Sequence, residues 1–437
     1  MTAYDDALAS LQVAGRLPSL SAAVARGGTP AWEGCVSVLP DVSVTTASAY
    51  RIGSITKTLT AVLVLQLRDE GRLALDDPIG RLVPGTGYAD ATIRDLLAHT
   101  AGLQSEPVGP WWERVDGGCV AELLAANDGS GRVAGPGAFY HYSNLGFALL
   151  GEAVARVRGA SWWEIVRERL LGPLGMTATT YHPPADHAPG RSVDHFAHTL
   201  SAEPHADTGA MAPAGQLWST VGDLLRWADF LATGHPDVLS AATLDEMSAP
   251  APPAQSYGLG LRLLAQGERT LVGHTGSMPG FQASLFVDRS TRDAVVALAD
   301  ATTGLGAEQV PELLLAASGA AGPGSGEVAP WRPSARPVPA IVGEVLGVWF
   351  WGNTGLGLEW RDDELQVRDL RSGTLEERFR IDGDGFVGVD GYHRGERLRV
   401  HRRADGAPGH LEVATFVWTR VPYDPQAPIP GGPAPDA

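Results

Sequence analysis

Ser54 and Lys57 stand three residues apart in the stretch from Arg51 to Pro78, RIGSITKTLTAVLVLQLRDEGRLALDDP, where an apolar helix begins. Helical residues three apart share a face, so the lysine amine can reach the serine hydroxyl. The first turn of a helix also carries unpaired N–H groups and a positive dipole end, which together favour an alkoxide. A serine hydroxyl alone is a weak nucleophile. It needs a proton acceptor, and a lysine accepts only where burial or a neighbouring cation depresses its pKa. The chemistry this pair points to is covalent attack on an acyl carbon, with the Ser54 N–H available to hold an oxyanion. Because an isolated S-x-x-K also fits an exposed lysine on a solvated face, the pair takes its meaning from the rest of the chain.

Other candidates carry less chemistry. GDGFVG from Gly383 satisfies G-x-G-x-x-G, but no helix follows, and it reads as a turn between short strands. In DGDGFVG from Asp382, Phe386 stands where a calcium loop needs Asp or Asn. His195 and His198 in HFAH share a helical face without a third ligand, and no metal site is assigned to them. Cys35 and Cys119 are 84 residues apart and read as small buried hydrophobes, neither a disulfide framework nor a zinc site. Trp111-Trp112 and Trp162-Trp163 read as packing, with the first pair placed to line a cleft. No cofactor is expected.

The 437 residues exceed what one hydrophobic core usually serves, so two domains are expected. With 33 Lys and Arg against 50 Asp and Glu, the formal charge is -17. Such a surface repels phosphate backbones and anionic lipid, which argues against nucleic-acid and membrane partners. The acidic start MTAYDDALASLQVAGRLPSL lacks a basic n-region and an apolar h-region, so a cytoplasmic location is expected. Runs such as AVLVLQL fall far short of the roughly 18 residues that a membrane span needs.

The elements that must position these residues read as α+β. SLSAAVAR and AWEGCVSVLP around the turn GGTP suggest an antiparallel pair. Four helical patterns follow, closing on Gly71, Gly102, Gly159 and Gly234, each able to adopt a left-handed cap. Strand-like runs return at YGLGLRLL, RTLVGHTG, ASLFVD and DAVVALAD before a helix at VPELLLAAS. Strands at both ends imply one antiparallel sheet flanked by helices, with a helical lobe inserted, over residues 1–318. A Pro/Gly-rich linker is expected over 319–340, and a Pro-rich tail over 424–437. Regularly spaced short strands over 341–423 predict a small all-β barrel.

Ser54-Ile55-Thr56-Lys57, Tyr142-Ser143-Asn144 and His274-Thr275-Gly276 occur in the order of the S-x-x-K, Y-x-N and H/K-T-G motifs. With the flanks LALDDPI, IRDLLAHTAGL, YSNLGFALLGE and GHTGSMPGF, residues 10 to 318 resemble the serine β-lactamases and penicillin-binding proteins. The likeness is nearest the class C-like branch, which includes D,D-peptidases, D-amino-acid amidases and carboxylesterases. The barrel loosely resembles the lipocalin-like domains of such hydrolases.

The resemblance implies that Ser54 is the acylated nucleophile, with Lys57 as its hydrogen-bonded partner. Tyr142 becomes general base or relay, ionised more easily beside Lys57, with Tyr140 the rival by sequence. Asn144 is implied to bond the acyl side chain, and His274, Thr275 and Gly276 to border the cleft. The backbone N–H of Ser277 is the second oxyanion donor. His274 replaces the more usual lysine and supplies less fixed charge for a substrate carboxylate. These roles give a serine hydrolase acting on a small-molecule or peptide ester or amide. The alternative is an acyltransferase or peptide cyclase using the same Ser54. A non-catalytic sensor or scaffold has no use for an activated hydroxyl.

Overall fold

The computed structural model of the chain describes residues 2–39, 41–317 and 328–429. It divides into two compact units, one of residues 1–192 and 202–332, the other of 193–201 and 333–437.

In the first unit the chain ends meet in one sheet. Strands β1 (Ser19–Arg26) and β2 (Thr29–Ser37) form a hairpin. From the far end of the unit come β3 (Arg262–Gln266), β4 (Arg269–Met278), β5 (Phe281–Asp288) and β6 (Asp293–Ala299). The six strands run antiparallel in the order β2-β1-β6-β5-β4-β3. The two chain ends join where β1 pairs β6, Ser21 opposite Leu298. Both strands are covered on both faces: β1 is buried from Ser19 to Ala25 and β6 from Ala294 to Ala299. Helix α1 (Ala3–Gly15) lies against β1 and β2.

The inserted lobe is built round α2 (Thr56–Asp69) and α3 (Asn144–Arg158). Every side chain of α2 from Thr56 to Leu67 is buried, the pattern of a helix enclosed on all sides. Its threonines serve the helix as fasteners. Thr58 accepts from Trp227 Nε1 at 2.8 Å, and Thr60 donates to the Pro213 carbonyl at 2.9 Å. Helix α4 (Val221–Thr233) crosses β1, β5 and β6.

Two expected boundaries shift. The helix expected to close on Gly102 spans only Ile93–Ala98 and ends at His99, which takes the left-handed conformation at φ 59°. The reason lies in the ring of His99, which is committed to tertiary hydrogen bonds described below. The strand read from Tyr257 begins at Arg262, because Gly258 and Gly260 sit in a loop and Gly260 has φ +80°.

The second unit is a closed barrel of eight sequential antiparallel strands between Gly347 and Thr419. Its interior holds a buried apolar core of Trp349, Leu358, Leu365, Phe379, Phe386 and Leu411 among others. Phe196, from the 193–201 excursion, accepts a bond from Trp360 N at 2.8 Å in the same unit. Arg420 lies 3.9 Å from the Trp349 ring and donates to the Leu346 and Val348 carbonyls. Of the expected linker, residues 319–327 lie outside the described residues. Its later part is pinned at Trp331, whose N–H and carbonyl are both bonded to the Gln12 side chain. Residues 430–437 of the expected tail also lie outside the described residues. Among the described residues no helix is long and apolar enough to cross a membrane.

Candidate active site

Ser54 sits in a single 3-10 turn, Gly53–Ile55, that runs directly into α2. Two glycines let this turn abut β4. A Cβ on Gly276 would stand 2.0 Å from the Ile52 carbonyl oxygen, and one on Gly53 would stand 2.6 Å from Ser277 N. Gly53 also has φ +50°. The close approach brings the Ser277 backbone alongside that of Ser54, which suits a two-donor oxyanion site.

Lys57, one turn on, has no exposed surface. Its Nζ lies 2.9 Å from Ser54 Oγ and donates to the Ala214 carbonyl at 2.7 Å. Burial pulls its pKa from 10.5 down to about 7, against the opposing charges of Glu106 and Glu113. A substantial fraction is therefore neutral at pH 7, and in that form the amine can accept the serine proton.

Tyr142 reaches the pair from the segment before α3, with Lys57 Nζ 5.0 Å from its ring centre. Burial raises its phenol above the ordinary value, while hydrogen bonding with Ser54 acts the other way. The expectation of an easily ionised phenol therefore does not hold in this site: the environment favours a neutral Tyr142 and a neutral Lys57. Tyr140, also raised chiefly by burial, has no such Ser54 interaction and stacks towards Tyr257.

Asn144 is the first residue of α3, which Ser143 caps by accepting from Gly146 N at 3.1 Å. Its Nδ2 donates to Glu106 Oε1 at 2.7 Å, and Glu106 Oε2 accepts from Trp112 Nε1 at 2.6 Å. A carboxylate only accepts, which fixes the amide's orientation. Asn144 Oδ1 is thus a buried acceptor with no protein partner.

His274 is buried, and both its ring nitrogens have protein partners. Burial, followed by the charge of Lys57, holds its pKa well below 6.5, and burial does the same to His99. Both rings are then neutral, and their partners fix the tautomers. His99 Nδ1 accepts from Ser143 N at 3.0 Å, so its Nε2–H donates to Tyr257 Oη at 3.2 Å. Tyr257 in turn donates to His274 Nε2 at 3.0 Å, while His274 Nδ1–H donates to the Thr275 carbonyl. The His99 ring stacks 4.2 Å from that of Tyr142.

Ser54, Tyr142, His274, Thr275, Gly276 and Ser277 line one cleft of about 540 Å³. Its further wall carries Arg262 and Glu308. Glu106, Tyr257, His99, Arg262 and Glu308 were not singled out from sequence. The one trace was Arg262 as a charge inside an apolar strand pattern.

A metal has no prepared place here. Among the described residues, one group of His, Cys, Asp or Glu brings three ligand atoms together: His401, His410 and Glu412 on the barrel. The two imidazoles stack at 4.3 Å with planes 6° apart, and nearly parallel rings cannot both aim a lone pair at one ion. His195 and His198 lie in a turn between two short strands and share no helical face.

An antiparallel sheet, an inserted helical lobe, and Ser, Lys and Tyr gathered where they meet define the serine β-lactamase and penicillin-binding-protein superfamily. The chain belongs to the Beta-lactamase family, which matches residues 4–318. Residues 338–420 match a domain of unknown function, DUF7586. The D-alanyl-D-alanine-carboxypeptidase/endopeptidase AmpH of Escherichia coli K12 is 32% identical over 200 residues, covering 41% of this chain and 48% of that protein. The chain spans about half the length of such curated relatives. A D-stereospecific amidohydrolase from Streptomyces sp. is 27% identical with a TM-score of 0.61, covering 72% of this chain and 99% of that one. An octameric penicillin-binding protein homologue from Pyrococcus abyssi shares the fold over 95% of this chain and 97% of its own, at 20% identity and a TM-score of 0.62.

Proposed function

We propose that the protein is a serine hydrolase that cleaves small esters or amides through an acyl-enzyme on Ser54. The observation that carries this reading is Lys57, fully buried, 2.9 Å from the Ser54 hydroxyl and brought to a pKa of about 7. An activated amine at that distance serves proton transfer and has no packing purpose.

Neutral Lys57 takes the Ser54 proton as Oγ attacks the acyl carbon, and the backbone N–H groups of Ser54 and Ser277 hold the oxyanion. Tyr142, a phenol at neutral pH, passes its proton to the leaving group, and the Lys57 ammonium, holding the proton taken from Ser54, restores it. Water then enters, and the same groups run in reverse to release the acid. Asn144 orients the acyl part of the substrate.

The charges of Glu106 and Glu113 act on Lys57 beside Ser54, and Asn144 Oδ1 is a buried acceptor with no protein partner. Negative charge and a free acceptor near the nucleophile favour an acyl group carrying an ammonium, that is, aminoacyl amides and esters. Likeness to a D-stereospecific amidohydrolase supports the same class. His274, buried and neutral, keeps its place by orienting Tyr257, without contacting substrate charge. A cytoplasmic location belongs to the proposal, supported by two unpaired cysteines, of which Cys119 is exposed.

A panel of p-nitrophenyl esters, D- and L-aminoacyl p-nitroanilides and nitrocefin tests the reading. Turnover of esters and aminoacyl anilides is expected, lost in Ser54→Ala. Activity that survives in Ser54→Ala would show that another residue is the nucleophile.

A further inference from the structure

We propose that Glu308 is a specificity-determining residue that occupies the place of a substrate carboxylate on Arg262, so that the cleft prefers neutral amide ends to free carboxylates. The inference rests on the serine-hydrolase reading of the same cleft. Arg262 Nη1 lies 2.6 Å from Glu308 Oε1 and donates to Thr275 Oγ1 at 2.9 Å. Among the described residues that line the cleft with Ser54, Arg262 is the one permanent cation and Glu308 the one carboxylate. His274, neutral and bonded to Tyr257, adds no positive charge. The cation of the cleft is therefore already paired from within the chain.

Both partners are held from behind. Arg262 opens β3, opposite Gly273 of β4. Next to Glu308, the Ala307 carbonyl accepts from Ser284 Oγ at 2.7 Å, and Leu305 N donates to Gln282 Oε1 at 2.7 Å. Both anchors belong to β5, so the acid is presented at the cleft wall by a fastened turn. An incoming carboxylate must displace Glu308 from Arg262 and face its negative charge. A carboxamide of the same shape meets neither obstacle. With side chains 36% and 49% exposed, water screens the pair and the effect is moderate.

The test compares D-phenylalanylglycine with its carboxamide, which differ in one charge, on wild type, Glu308→Gln and Glu308→Gln/Arg262→Gln. The ratio of kcat/KM for acid over amide should rise about tenfold in Glu308→Gln, equivalent to about 1.4 kcal/mol. The second substitution should remove that gain. A ratio unchanged within twofold in Glu308→Gln would overturn the inference, as would a gain that persists without Arg262. If neither peptide is cut while p-nitrophenyl acetate still acylates Ser54, the peptide selectivity is refuted and the serine-hydrolase reading stands. If Ser54 is not acylated at all, both fall.

Discussion

In the proposed mechanism Lys57 sets the pH at which Ser54 becomes reactive. Its folded pKa of about 7 lies below the ordinary 10.5 because burial penalises the ammonium. The free-enzyme amine loses its proton as pH rises through about 7, so kcat/KM should climb across that midpoint. Tyr142, raised by burial, stays protonated and adds no ionisation of its own at neutral pH. A profile flat from pH 5 to 8 would contradict this assignment of the base. Linkage runs the same way: between about 7 and 10.5 the unfolded chain holds the extra proton, so this lysine's cost to stability is full below the window and vanishes above it. Much at this scale was legible in the sequence. Ser54, Lys57 and Tyr142 have types and spacing that announce acyl chemistry, whereas the protonation states do not follow from residue type. Tyr142 was expected to ionise readily beside Lys57, but the burial that makes the amine neutral removes the charge that would have helped it.

At the scale of elements, Tyr257 links the helix that ends at His99 to the strand that carries His274. Its hydroxyl is the shared partner of two buried imidazoles. Tyr257→Phe leaves two buried nitrogens without a partner and should cost about 2 kcal/mol of stability. Because His99 packs on Tyr142, kcat should fall while KM for a small ester holds. Equal stability and equal kcat in Tyr257→Phe, from denaturant unfolding and ester kinetics, would show the network to be idle. The sequence pattern missed this element boundary for a physical reason. Glycine propensity placed the helix end at Gly102, but His99 accepts the left-handed conformation because its ring is held by Ser143 N and Tyr257 from elsewhere in the chain. The pairings Glu106 with Asn144 and Arg262 with Glu308 were hidden for the same reason, since tertiary approach creates partners that local spacing does not encode.

Over the whole molecule, the sheet that closes the two ends of the first unit and the eight-stranded barrel were both visible from strand spacing. The excursion of residues 193–201 into the barrel unit was not, because a short turn within a loop-rich stretch carries no pattern of its own. All the residues assigned to the chemistry belong to the first unit. The formal charge of -17 works in the same direction as the proposed preference against anionic substrates. In the proposed mechanism Ser54 is a nucleophile activated by a neutral lysine. That assignment is tested most directly by mass spectrometry with peptide mapping after the full chain reacts with a fluorophosphonate across a pH series. One adduct, on Ser54, should form at a rate that rises through about pH 7 and should be absent from Ser54→Ala. An unmodified Ser54 at every pH, or an adduct that persists in Ser54→Ala, would contradict the account.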